Sequence, residues 1–216
     1  DIDIDQMPPF TSPLTPNNRR HASFVTKKRL RTKIRSGNVA LAKRAFNSGE
    51  KVVEEQWDGA TAFYTSKSRR LMCICHHIGN RVEHFQGPRN FERLVKIDWP
   101  SIGRSIHFDG TKGRERKTIH VYPSGRVQFY EGERGRERKV RATEPSTNCT
   151  QYFEGEKGEE HLVRAAWQFG QVQTFEGARG EERRVSVKFA DGLCNFYTGE
   201  KDHERLVRTI FRGAIQ

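Results

Sequence analysis

A short phrase recurs six times along this chain at an almost constant interval, and that interval limits its folding more than any other feature. One copy reads Phe129-Tyr130-Glu131-Gly132-Glu133-Arg134-Gly135-Arg136-Glu137-Arg138-Lys139-Val140, and the wording returns at Phe153 to Val163 and at Phe175 to Val185. The leading glycines are Gly87, Gly110, Gly132, Gly155, Gly177 and Gly199, spaced 23, 22, 23, 22 and 22 residues apart. Two residues before each stands an aromatic: Phe85, Phe108, Tyr130, Phe153, Phe175 and Tyr197. Five residues after each stands a glutamate: Glu92, Glu115, Glu137, Glu160, Glu182 and Glu204. A fixed period of this length marks stacked structural units, each too small to bury its apolar side except against its neighbours.

A second series sets the register. Seven residues before each leading glycine stands Asn80, Gly103, Gly125, Asn148, Gly170 or Gly192, residue types that tolerate positive φ. On either side the side chains alternate: Arg183, Val185, Val187 and Phe189 point one way, Arg184, Ser186 and Lys188 the other, which is the periodicity of a strand. Asp191-Gly192 between two such stretches predicts a tight hairpin with a type I′ turn. Each unit therefore reads as strand, turn, strand, then a Gly-x-x-Gly link. A worn first copy runs from Glu50 to Ser66, with Ser66 in place of the leading glycine, and a half unit closes the series at Arg205 to Phe211. The expected fold is all-β: an elongated, single-layer array of seven antiparallel hairpins and one closing strand over residues 50–212, with a tail at 213–216.

The aromatic-x-Gly phrase with further glycines at this period resembles the MORN repeat family, over roughly residues 50–212. The resemblance implies a row of β-hairpins and, for the family, binding of acidic lipids. The chain departs from the pattern where the usual Gly-x-Gly of the second strand is replaced by Glu-Arg-x-Val, which alters the surface that would meet a ligand. The variant wording is also similar to repeats common in proteins of single-celled algae.

Charge divides the chain unevenly. Residues 6–49 hold ten Lys or Arg and no acid, after Asp1, Asp3 and Asp5, so the first 49 residues carry +7 of the total +12. Pro8, Pro9, Pro13 and Pro16 favour extended backbone over helix in this arm. Arg19, Arg20, Lys27, Lys28, Arg29, Arg31, Lys33 and Arg35 are its candidate partner-binding cations, with Phe10 and Phe24 as apolar anchors. Asn38 can cap one short helix near 38–47. Asp1 in place of Met points to a processed chain or a fragment. The location expected is intracellular, or organellar after N-terminal processing. No run of 18 apolar residues predicts a transmembrane helix.

Chemistry-bearing constellations are few. Cys73, Cys75 and His77 share one strand face and are weak metal candidates, since no second ligand pair accompanies them. The glutamates, each followed by Arg93, Arg116, Arg138, His161, Arg183 or Arg205, predict a ladder of opposite charges along one edge rather than a catalytic set, because every copy is alike. No nucleophile–base pairing, Walker-type loop or cofactor motif is present in the sequence. The function expected is a non-catalytic scaffold: a subunit of a larger protein complex held by its arm, without a cofactor or a small-molecule substrate. Acidic lipid headgroups or RNA are the alternative partners of the basic residues.

Overall fold

The computed structural model describes residues 51–211; the basic arm, the helix expected near 38–47 and the tail at 213–216 lie outside them. Fifteen strands form one antiparallel sheet whose spatial order is the chain order: β1 (Val52–Trp57), β2 (Ala60–Thr65), β3 (Leu71–His76), β4 (Val82–Gln86), β5 (Arg93–Trp99), β6 (Arg104–Asp109), β7 (Arg116–Val121), β8 (Val127–Glu131), β9 (Arg138–Glu144), β10 (Cys149–Glu154), β11 (His161–Trp167), β12 (Val172–Glu176), β13 (Arg183–Lys188), β14 (Leu193–Thr198) and β15 (Arg205–Phe211). No helix occurs among the described residues. Seven hairpins and a closing strand are thus in place, one hairpin to each period.

The turns lie where the Gly/Asn series put them, but the type I′ geometry expected at Asp191-Gly192 is not the one formed there. That turn needs positive φ at two successive residues. At Asp191-Gly192 only Gly192 has it, at 90°. Gly192 N–H donates to Phe189 O at 3.1 Å and Phe189 N–H to Leu193 O at 2.8 Å, a three-residue loop in which a type I turn is closed by a left-handed glycine. Asp191 keeps the ordinary conformation because its carboxylate takes the N–H of Leu193, 2.9 Å away. The same two backbone bonds recur at Tyr122–Arg126 and Trp167–Gln171.

A second difference is that strict alternation does not run through the motif strands. Seven β-bulges interrupt the pairing, one at each motif aromatic and one at Tyr64 of the worn copy. Opposite Thr174–Phe175, for example, the partner strand jumps from Ser186 to Arg184 and leaves Val185 as the extra residue. The valine of the Glu-Arg-x-Val phrase is that extra residue in five copies (Val95, Val140, Val163, Val185, Val207), and Thr118 holds the place in the sixth.

The core follows from the register. One row across the sheet alternates amides from the second strands with small residues from the first: Gln128, Ala142, Gln151, Ala165, Gln173, Val187 and Asn195. Ala142, Ala165 and Val187 are nearly fully buried. The motif aromatics form the neighbouring row on this amide face. Each is paired with a residue of the following strand: Phe85 with Leu94, Phe108 with Lys117, Tyr130 with Lys139, Phe153 with Leu162, Phe175 with Arg184 and Tyr197 with Leu206. The largest buried group lies at β2–β4, where Phe63, Cys73, Cys75 and Val82 form one cluster and Ala60, Ala62 and Ile74 another.

Candidate interaction surface

The motif residues meet along the edge formed by the links, where each repeat grips the one before it. The leading glycine has positive φ in all six copies, from 105° at Gly155 to 121° at Gly87. A side chain there would also collide with the carbonyl oxygen four residues on, 2.7 Å from an ideal Cβ at Gly132 and 2.5 Å at Gly177. The tightness of this loop brings the glutamate back across the preceding repeat. Its Oε1 accepts a backbone N–H there: Glu92 from Leu71, Glu115 from Leu94, Glu137 from Lys117, Glu160 from Lys139, Glu182 from Leu162 and Glu204 from Arg184, at 2.9–3.3 Å. The other oxygen of Glu137, Glu160 and Glu182 takes the N–H of Gly135, Gly158 and Gly180 in its own link. Burial opposes ionisation of Glu160, but N–H donors including Lys139 and Gly158 outweigh it and hold the carboxyl below the ordinary glutamate range. The same balance lowers Glu182.

The glutamates therefore do not form the expected ladder of ion pairs with the arginines that follow them, since their oxygens are engaged by backbone N–H groups. A charge ladder exists with other acids. Arg93 and Arg116 pair with Asp109 at 3.0 and 4.0 Å, Arg138 with Glu131 at 3.8 Å and Arg183 with Glu176 at 2.9 Å. These acids stand one residue before the leading glycine. Arg93 and Arg116 also donate to the carbonyls of Gly110 and Gly132, the leading glycines of the next copies. A further stair is built by the basic residue two after the leading glycine. Lys112, Arg134, Lys157, Arg179 and Lys201 donate to the carbonyl oxygens of Asn90, Gly113, Gly135, Gly158 and Gly180 in the preceding links.

The cysteine and histidine candidates do not converge. His77 lies exposed beyond the end of β3, with Nε2 2.9 Å from Thr61 Oγ1. The Cys73 thiol, hydrogen-bonded to Cys75 and buried, is pushed far above its ordinary value, while accepting that bond lowers Cys75 against the effect of burial. Among the described residues no three His, Cys, Asp or Glu groups stand where they could hold a metal ion.

The two faces of the sheet differ in what they offer. On the amide face the aromatic row is stacked with cations: Lys117 Nζ lies 3.7 Å from the centre of Tyr130, Lys139 Nζ 3.7 Å from Phe153, and the Arg184 guanidinium 4.4 Å from Tyr197. Each is the cross-strand partner of one motif aromatic and lies over the ring of the next, which ties hairpin to hairpin. His120 is buried in the middle row of this face. Burial, and then Arg104 whose Nε donates to His120 Nε2 at 3.0 Å, push its imidazolium down to about 4.

The opposite face carries a row that sequence reading does not single out. From β8 to β15 it runs Phe129, Arg141, Tyr152, Arg164, Thr174, Ser186, Phe196 and Arg208, cross-strand partners in succession. The Arg141 guanidinium lies 3.8 Å over Phe129 and that of Arg164 5.2 Å from the centre of Tyr152. The signal was present in the repeat, since Arg141, Arg164 and Arg208 stand nine residues after a leading glycine, but it becomes legible only when the bulge fixes their face. The arm cations Arg19 to Arg35, with Phe10 and Phe24, lie outside the described residues. No protein-family model matches the chain, and no curated protein does.

Proposed function

We propose that the chain is a non-catalytic, MORN-like scaffold protein, a subunit of a larger assembly tethered through its basic arm. The observation that carries this reading is the uniform use of the motif: in each of the six copies the glutamate five residues after the leading glycine, and most of the link cations, engage the backbone of the neighbouring repeat. A catalytic centre needs one set of residues unlike the others, and the copies differ mainly in which cation or aliphatic residue covers which ring. Such a sheet supplies a long, regular surface, and residues 1–49 supply a charged tether with apolar anchors at Phe10 and Phe24. Those anchors favour a protein partner. The ten acid-free cations of residues 6–49 favour the alternative, acidic lipid headgroups or RNA, as in a membrane-surface tether or a ribosomal-type subunit.

Tagged full-length chain and a chain lacking residues 1–36, recovered from native extract at about 0.1 M and 0.5 M salt, separate these partners. A defined set of co-purifying proteins that survives high salt and is lost with the arm supports the protein tether. Release by salt or nuclease supports RNA, and recovery with vesicles supports lipid. Equal recovery of the same partners by both chains would place binding on the repeats and overturn the role of the arm.

A further inference from the structure

We infer that the arginine-bearing face of β8–β15 binds single-stranded nucleic acid lengthwise, across the strands, through phosphate contacts and stacking. This goes beyond the scaffold reading and does not rest on the arm. Arg141, Arg164, Lys188 and Arg208 are exposed there, and none is in an ion pair among the described residues. The row containing three of these cations has no acid between β8 and β15. Neither has the row beside it: Val127, Thr143, Thr150, Ala166, Val172, Lys188, Cys194 and Ile210. The acids of this face, Glu131, Glu154 and Glu176, keep to the link side, where Arg138, His161 and Arg183 stand opposite them. The middle of the face is thus positive without internal compensation.

Aromatics alternate with these cations from Phe129 to Arg164 and again at Phe196 and Arg208, which is the composition of a surface that holds phosphates and stacks bases without reading their edges. Arg141 rests on the ring of Phe129 and is exposed to solvent, and guanidinium planes stack bases as aromatic rings do. Phe196 is exposed farther along, beside a groove of about 570 Å³ whose lining includes Thr174, Lys188 and Phe196, with Asp191 at its turn end. Charge alone would also suit an acidic bilayer. Sheets twist by roughly 20–25° per strand, however, so the six steps from Arg141 to Arg208 turn the row well away from any one plane. A flexible strand of phosphates can follow such a path, and a flat bilayer meets only part of it. An acidic peptide matches the charge but has no use for the stacked planes.

The test uses the full-length chain and fluorescein-labelled twelve-residue oligo-U and oligo-dT, followed by anisotropy over a salt series. The arm is identical in every variant, so differences report the sheet alone. Arg141→Gln with Arg164→Gln should weaken binding roughly 25-fold at about 0.1 M salt and flatten the slope of log K against log salt by about 1.4, two phosphate contacts at ~0.7 each. Arg114→Gln with Arg136→Gln removes the same charge from exposed link positions and should change affinity little. Arg141→Lys with Arg164→Lys should keep the slope and still weaken binding, through loss of the stacking planes. Equal losses from the face and link pairs, or no loss from the face pair with its melt unchanged, would overturn the proposal. So would oligonucleotide binding unaltered in the face pair while its retention on phosphatidylserine vesicles is lost.

Discussion

Gly132 and Gly135 both take positive φ, at 109° and 80°, yet they meet different surroundings. A Cβ at Gly132 would sit 2.7 Å from the carbonyl oxygen of Arg136, whereas a Cβ at Gly135 meets nothing within 4 Å. The repeat itself shows the consequence: the second position is filled by Asn90 and Asp202 in two copies, at φ of 71° and 63°, while the leading position is glycine in all six. Gly132→Ala should therefore destabilise the chain by about 1–3 kcal/mol, and Gly135→Asn by much less, in paired chemical denaturation curves. Equal costs would mean that the carbonyl contact is not what reserves the leading site. A second prediction at this scale concerns His120. Its imidazolium is disfavoured in the folded chain by burial and by Arg104, so the unfolded chain takes up the proton first as pH falls. Its stabilising contribution should be complete above about pH 6.5, the ordinary histidine value, and drain away toward about pH 4. His120→Gln should flatten the loss of stability in that window, measured by urea midpoints at stepped pH; an unchanged slope would assign it to other groups.

At the scale of the element, each hairpin is fixed by a bulge, a link and a clasp, and these were unequally legible in the sequence. Strand and turn positions could be read because Gly125, Asn148 and Gly170 mark them directly. The turn type could not, because Asp191 next to Gly192 looks like a type I′ pair until its carboxylate is seen closing on Leu193 N–H. The bulges were hidden by the same valines that suggested alternation: counting Val185 and Val187 on one side is natural when Val185 is not known to be extra. The clasp, the glutamate's hold on the preceding repeat, looks in sequence like an ion pair because Arg138 follows Glu137, whereas the partner, Lys117 N–H, lies 20 residues upstream and carries no side-chain signature. The depressed carboxyls of Glu160 and Glu182 give this element its own pH signature. Their folded values lie below the unfolded ones, so their contribution is present above the ordinary glutamate range and is lost as pH falls below it. Glu160→Gln should reduce stability at neutral pH by about 1–2 kcal/mol and remove part of the acid-limb loss, in melts between pH 7 and pH 3. A variant as stable as the parent at neutral pH would contradict the clasp.

Across the whole sheet, strands pair only with their neighbours in sequence, so stability is a sum over adjacent units. Removing residues 132–154, one full period, joins Glu131 to Gly155 and restores the motif across the junction. The shortened chain should fold to a sheet with one hairpin fewer and melt only modestly lower; failure to fold would show that the repeats depend on contacts beyond their neighbours. At this scale the sequence told least about surfaces. The face of Arg141, Arg164 and Arg208 is assembled from three separate periods, and only the pairing of β9 with β10 and of β10 with β11 sets Tyr152 between its first two arginines. The central claim is that the motif glutamate exists to hold the preceding repeat, and amide hydrogen exchange in Glu137→Gln tests it most directly. Protection should fall sharply at Lys117 N–H, whose acceptor is weakened, while Lys139 and Leu162, clasped by Glu160 and Glu182, keep theirs. Unchanged exchange at Lys117 would contradict the account and leave the glutamates free for another role.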